Sequence, residues 1–255
     1  MLIKDLVVVV AGFLVGAINA IGGGGMLIGF PVLLIFGMPA LAANATANVI
    51  VLSGQITSSF GYRKYIKALP RSYLWLILPT AIGAAIGAYI LRRTSNSNFE
   101  LIAPILIIAA VILFAYQPYI HARIYREVGV ERKYSGPRPW VFLAIFPLAI
   151  YGGYFGAGFG LVMLAILSLT RLTNIHEMNG LKNLTAIAIS AVSILVLYSS
   201  HLINWRYALA MGVGTAIGGY VGARSAQRFS FRAIRVFVVV IGLVTAVYLS
   251  ALALG

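Results

Sequence analysis

Gly22-Gly23-Gly24-Gly25-Met26-Leu27-Ile28-Gly29-Phe30-Pro31 stands in the middle of a long apolar run, residues 6–36. One crossing of a hydrocarbon core needs about 20 helical residues, and this run is longer. Four consecutive glycines are also a poor helix interior, each costing about 1 kcal/mol relative to alanine. The run therefore reads as two short helices joined by a glycine-rich turn. A second run, 140–170, has the same design, with Gly156-Ala157-Gly158-Phe159-Gly160 near its centre.

The two runs belong to an internal repeat. Adding 135 to a residue number in the first half reaches its counterpart without a gap. Gly23 and Gly25 fall on Gly158 and Gly160, Asn44 and Asn48 on Asn179 and Asn183, and Thr80-Ala81-Ile82-Gly83 on Thr215-Ala216-Ile217-Gly218. Two copies of one membrane unit imply a transporter with its site between them.

Composition agrees with that class. With 61% hydrophobic residues, 9% charged residues and a mean hydropathy of +0.98, most of this chain is unsuited to water. Further apolar stretches lie at 40–62, 73–91, 99–117, 180–199, 206–223 and 233–254. They lack the alternation of barrel strands, so the spans are helices. The expected fold is all-α: a polytopic transmembrane bundle of two inverted repeats, each opening with a broken helix pair. Residues 1–117 form the first repeat, 118–139 a cytoplasmic linker and 140–255 the second repeat.

The net charge of +14 sits in short loops, where topology and anionic lipid at the cytoplasmic face explain it first. An anionic substrate is a second use for the same excess. Arg63, Lys64, Lys67 and Arg71, and then Arg123, Arg126, Arg132, Lys133 and Arg138, mark two loops as cytoplasmic. In the second half the basic cluster is Arg224, Arg228, Arg232 and Arg235, which corresponds to an outer loop of the first. That reversal makes the copies opposite in orientation, and it requires the 6–36 and 140–170 runs to be broken pairs. A multi-pass protein of a bacterial or archaeal inner membrane is expected, with no cleavable leader.

Several chemistries are disfavoured. Cysteine is absent, which removes disulfides and thiolate sites. His121 and His201 have no second ligand at metal spacing, and no cofactor motif is present. Paired carboxylates and nucleophile triads are lacking, so no enzyme is expected. Nor are the basic clusters interleaved with aromatics as in nucleic-acid binders.

Candidate binding residues follow from the breaks. A broken helix exposes main-chain N–H groups, and the helix N-terminus after it carries positive partial charge. Gly22, Gly23, Gly24, Gly25, Gly156, Gly158 and Gly160 are therefore anion-site candidates. The plainer role of such glycines is tight helix packing, the reading preferred for Gly83/Gly87 and Gly218/Gly222. Asn44 and Asn48 share one helical face, as do Asn179 and Asn183, and serve either a ligand or interhelical hydrogen bonds. Thr46, Ser53, Gln55, Thr57 and Ser58 read as structural. Lys182, between the second asparagines, is a candidate counter-charge, because an ammonium within a span is expensive unless it has a task. His176 and Glu177 either pair with it or lie in the surface loop.

The Gly22–Pro31 segment, then Ala43-Asn44-Ala45-Thr46-Ala47-Asn48, resembles the sulfite exporter TauE/SafE family of bacterial permeases. Tyr151-Gly152-Gly153-Tyr154-Phe155-Gly156-Ala157-Gly158, Met178-Asn179-Gly180-Leu181-Lys182-Asn183 and Gly218-Gly219-Tyr220-Val221-Gly222-Ala223-Arg224 extend the resemblance over nearly the whole chain. It implies export, or in some members uptake, of small sulfur-containing anions such as sulfite or sulfoacetate. The leading expectation is thus a transporter of a small oxyanion working by alternating access. A passive anion channel on the same scaffold, a carrier of a non-sulfur organic anion and an enzyme for a lipid-linked substrate are the alternatives. A homodimer is compatible with this reading.

Overall fold

The computed structural model describes residues 2–116, 119, 122, 136–170, 172, 174–225 and 231–254. Most of the 118–139 linker, with His121, Arg123, Arg126, Arg132 and Lys133, lies outside the described residues, as do Arg228 and the side chains of Arg232 and Arg235.

Among the described residues the regular structure is helical: α1 (Leu2–Gly22), α2 (Met26–Ile35), α3 (Ala40–Gly61), α4 (Arg63–Ala68), α5 (Arg71–Leu74), α6 (Ile77–Arg93), α7 (Asn96–Ala115), α8 (Pro139–Tyr154), α9 (Phe159–Ser168), α10 (Ile175–Leu197), α11 (Trp205–Ser225) and α12 (Phe231–Leu254). The stretches Arg71–Arg93, Asn96–Ala115 and Ile175–Ser200 are long and apolar enough to cross a membrane. α2 and α9, of 10 residues each, are only about 15 Å long, roughly half a hydrocarbon core.

Small residues set the packing. A Cβ on Gly218 or Gly222 of α11 would run into the carbonyls of Phe13 or Ala17 in α1, and one on Gly83 or Gly87 of α6 into those of Phe146 or Ile150 in α8. These glycines let main chains approach, as the packing reading expects. α1 thus lies on α11 and α6 on α8, while α3 and α10 cross at the centre. Ser53 donates to Gly212 O and Thr57 to Ala216 O, so α3 and α11 run in the same direction. Gln55 meets Ser190 whereas Ser58 meets Asn183, so α3 and α10 run in opposite directions.

One basic loop differs from expectation. Residues 63–68 form α4, because Tyr62 is buried at its start and Ile66 fills the space left by Gly180 of α10. His176 stacks on Tyr65 at 4.7 Å between ring centroids, which ties the start of α10 to this helix.

Candidate functional site

α1 stops at Gly22 and α8 at Tyr154, and the turn after each holds a left-handed glycine at the equivalent position: Gly23 at φ 76° and Gly158 at φ 78°. Only glycine adopts this conformation without strain. The two turns also touch. A Cβ on Gly23 would lie 2.5 Å from the Gly160 Cα, and one on Gly160 would lie 2.7 Å from the Gly23 Cα.

Beside this contact is a cavity of about 40 Å³. Roughly 10–15 Å³ of such volume holds one water, so the space suits a few waters or one small ion. Its polar wall comprises Asn19 of α1, Asn48 and Gln55 of α3, and Lys182, Asn183 and Ser190 of α10, with Gly23, Gly156 and Gly160 from the breaks. Met26, Phe155 and Phe159 close the apolar side. No carboxylate lines it among the described residues.

The electrostatics follow from four helix ends. The C-termini of α1 and α8 carry negative partial charge, and the N-termini of α2 and α9 carry positive. Lys182 Nζ donates to Asn19 O at 3.2 Å, Ala20 O at 3.3 Å and Asn179 Oδ1 at 3.0 Å, so an ammonium covers the end of α1. Asn44 Nδ2 donates to Tyr154 O at 2.8 Å and covers the end of α8. With both negative ends capped, the N-termini of α2 and α9, whose Met26, Phe159 and Gly160 reach the cavity, present positive partial charge to it. The site is suited to an anion.

The sequence candidates divide accordingly. Gly23, Asn48, Gly156, Gly160, Lys182 and Asn183 line the cavity, while Gly22, Gly24, Gly25, Asn44, Gly158 and Asn179 do not. Gly24 and Gly25 are packing positions, filled by the Phe114 ring and by Val15 O with Asn19 Cβ. Asn44 and Asn179 support the breaks, whereas Asn48 and Asn183, one helical turn further on, face the cavity. Not every glycine N–H is open: Gly23 donates to Asn19 O and Gly156 to Tyr151 O. Among the described residues, Gly24, Gly25, Ala157, Gly158 and Gly160 have no main-chain acceptor. Asn19 and Ser190 carry no motif in the sequence, and Gln55 reads there as structural, yet all three line the cavity. Position 55 plus 135 is 190, so the offset pairs Gln55 with Ser190 although their identities differ.

Comparison with known proteins covers this architecture almost end to end. The chain is 29% identical over 248 residues to a probable membrane transporter protein of Sinorhizobium sp, spanning 95% of this chain and 90% of that one. It is 27% identical over 238 residues to one of Haemophilus influenzae, with 90% and 88% covered, and 26% identical over 233 residues to one of Escherichia coli, with 91% and 84% covered. No solved structure matches. These relatives are named as transporters rather than enzymes. The sulfite exporter TauE/SafE family model matches residues 8–249, which takes in both broken helices and both asparagine helices, and the chain belongs to that family of membrane transporters.

Proposed function

We propose that this membrane transporter is a multi-pass inner-membrane carrier that exports a small oxyanion, sulfite or a compact organosulfonate, by alternating access between two inverted repeats. The observation that carries the reading is the cavity at the contact of the two breaks: small, free of carboxylates among the described residues and facing two helix N-termini. Its volume of about 40 Å³ favours an ion of sulfite size over a long-chain sulfonate.

Inversion is supported by the opposed directions of α3 and α10, and by the exchange of partners in which α1 packs on α11 as its counterpart α8 packs on α6. Alternation is supported by an asymmetry between equivalent residues. Asn183 donates to Ser58 Oγ at 2.7 Å, but its counterpart Asn48 turns to Asn44 O, and Ser193, the counterpart of Ser58, is buried with an unpartnered hydroxyl. One state of a two-state carrier has this form: a link made on one side and open on the other.

Sulfite flux into proteoliposomes tests the proposal. Saturable uptake with counterflow is the expected result. Conductance far above carrier turnover would replace the carrier with a channel, and flux equal to empty liposomes would remove sulfite as a substrate.

A further inference from the structure

We propose that the side-chain amides of Asn19 and Gln55 are the donors that grip the transported anion, and that Lys182 is a positioning residue behind them. The inference rests on the oxyanion reading above and names its contacts.

Most donors on the cavity wall already hold an acceptor within the protein. A lysine ammonium has three donors, and Lys182 has three acceptors: Asn19 O, Ala20 O and Asn179 Oδ1. Asn48 commits one amide N–H to Asn44 O, and Asn183 commits one to Ser58 Oγ, so each side chain is held within the protein. The N–H groups of Gly23 and Gly156 close their own helices. The N–H of Gly160 has no main-chain acceptor and stays open, whereas the ammonium of Lys182 and the amides of Asn48 and Asn183 are already engaged.

Two amides are not. Asn19 lines the cavity, and its side chain makes no hydrogen bond among the described residues. Gln55 is 6% exposed, and its Oε1 accepts from Ser190 Oγ at 3.2 Å, while its Nε2 has no acceptor among the described residues. With Oε1 facing Ser190 Oγ, the NH₂ end of the Gln55 amide is the end left unused. Neither amide nitrogen is sealed from the cavity, and the oxygens of a small anion are acceptors that bring no donor of their own.

The remaining groups serve these two. Lys182 holds the main-chain oxygen of Asn19 itself, so it fixes where that side chain starts. Ser190 does the same for Gln55 from the equivalent position of the other repeat, where α3 and α10 cross. Grip by neutral amides, with the cation one step away, lets an oxyanion bind and still leave.

Sulfite counterflow in proteoliposomes, with a sulfite-dependent melting shift of the purified protein, tests the inference. Asn19→Ala and Gln55→Ala are each expected to raise KM for sulfite at least about tenfold, since a hydrogen bond to a charged group is worth that much, with maximal rate within about twofold. Gln55→Glu is expected to abolish both flux and the melting shift, because a carboxylate repels the ion. Gln55→Met keeps the length of the side chain and reads the same parameter if the alanine variant does not fold. Folded alanine variants with wild-type KM would overturn the inference and leave the carrier reading standing. A wild-type protein that neither moves sulfite nor is stabilised by it overturns both.

Discussion

The ammonium of Lys182 lies 3.2 Å from the main-chain oxygen of Asn19 in the last turn of α1. At the position equivalent to Asn19, Tyr154 offers its own oxygen to Asn44 Nδ2 at 2.8 Å. Each half thus uses its asparagine helix to cap the break in the other half. The capped oxygens are equivalent, but the caps are not: Asn44 is neutral and corresponds to Asn179, whereas Lys182 is charged and corresponds to Ala47. The charged one is where stability and transport come apart most clearly.

Lys182→Met is expected to keep the fold and lose the flux. Lys182 is 2% exposed and its three acceptors are neutral oxygens, so its hydrogen bonds compete with the cost of burying a cation. That cost is several kcal/mol, and exchanging a buried charge for an apolar side chain of similar volume is often neutral or stabilising. Asn19 O also keeps its bond from Gly23 N. Melting within about 5 °C of wild type, equivalent to roughly 2 kcal/mol, with sulfite flux at background, is the expected pair of results. A collapse of melting temperature with normal flux in the folded fraction would make Lys182 purely structural.

Asn44 has the opposite balance. Asn44→Ala removes the neutral cap of α8 but also a buried Oδ1 with no partner among the described residues, so its net cost should be only about 1 kcal/mol. Asn44→Asp keeps the size but turns a carboxylate toward Tyr154 O and the negative end of α8, so it should cost more than alanine. Thermal melting in detergent gives the order directly. An aspartate variant as stable as wild type would contradict the capping role.

The glycines separate conformation from crowding. Gly23 and Gly37 are both left-handed, at φ 76° and 80°, but a Cβ on Gly37 meets nothing within 4 Å whereas one on Gly23 meets the Gly160 main chain. Gly37→Ala should therefore cost only about 1 kcal/mol. Gly23→Ala should prevent a folded, monodisperse protein, because main chain cannot yield as a flexible side chain can. Equal effects at the two sites would mean that the breaks do not touch.

Much of this was legible in the sequence because the repeat has no gaps. The 135-residue offset links Gly23 to Gly158, and both adopt the same left-handed turn. It also links both asparagine pairs, but not their division of labour: the acceptor of Asn44 and two of the three acceptors of Lys182 are main-chain oxygens of helix ends, which no side-chain pattern records. Asn19 corresponds to Tyr154 and Gln55 to Ser190, so the repeat marks neither as a pair. Matching identities finds what two halves share, and a single cavity between them is built partly from where they differ. The helix at Arg63–Ala68 was hidden for another reason, since its basic residues satisfy a loop reading while burial of Tyr62 is a tertiary effect.

Ser193 offers the most direct test of alternation. In the present arrangement its hydroxyl is fully buried and unpartnered, which is unfavourable by about 1–3 kcal/mol. Ser193→Ala should accordingly raise the melting temperature by a few degrees. If the other state of the carrier repeats the Asn183–Ser58 link with Asn48 and Ser193, the same substitution deprives that state of a hydrogen bond. Turnover should then fall severalfold while KM for sulfite stays near wild type, since Ser193 does not line the cavity. Ser58→Ala should act in the reverse sense, lowering the melting temperature because it strips Asn183 of its partner. Two serine variants with the same sign of melting shift would show that the two sides do not exchange roles.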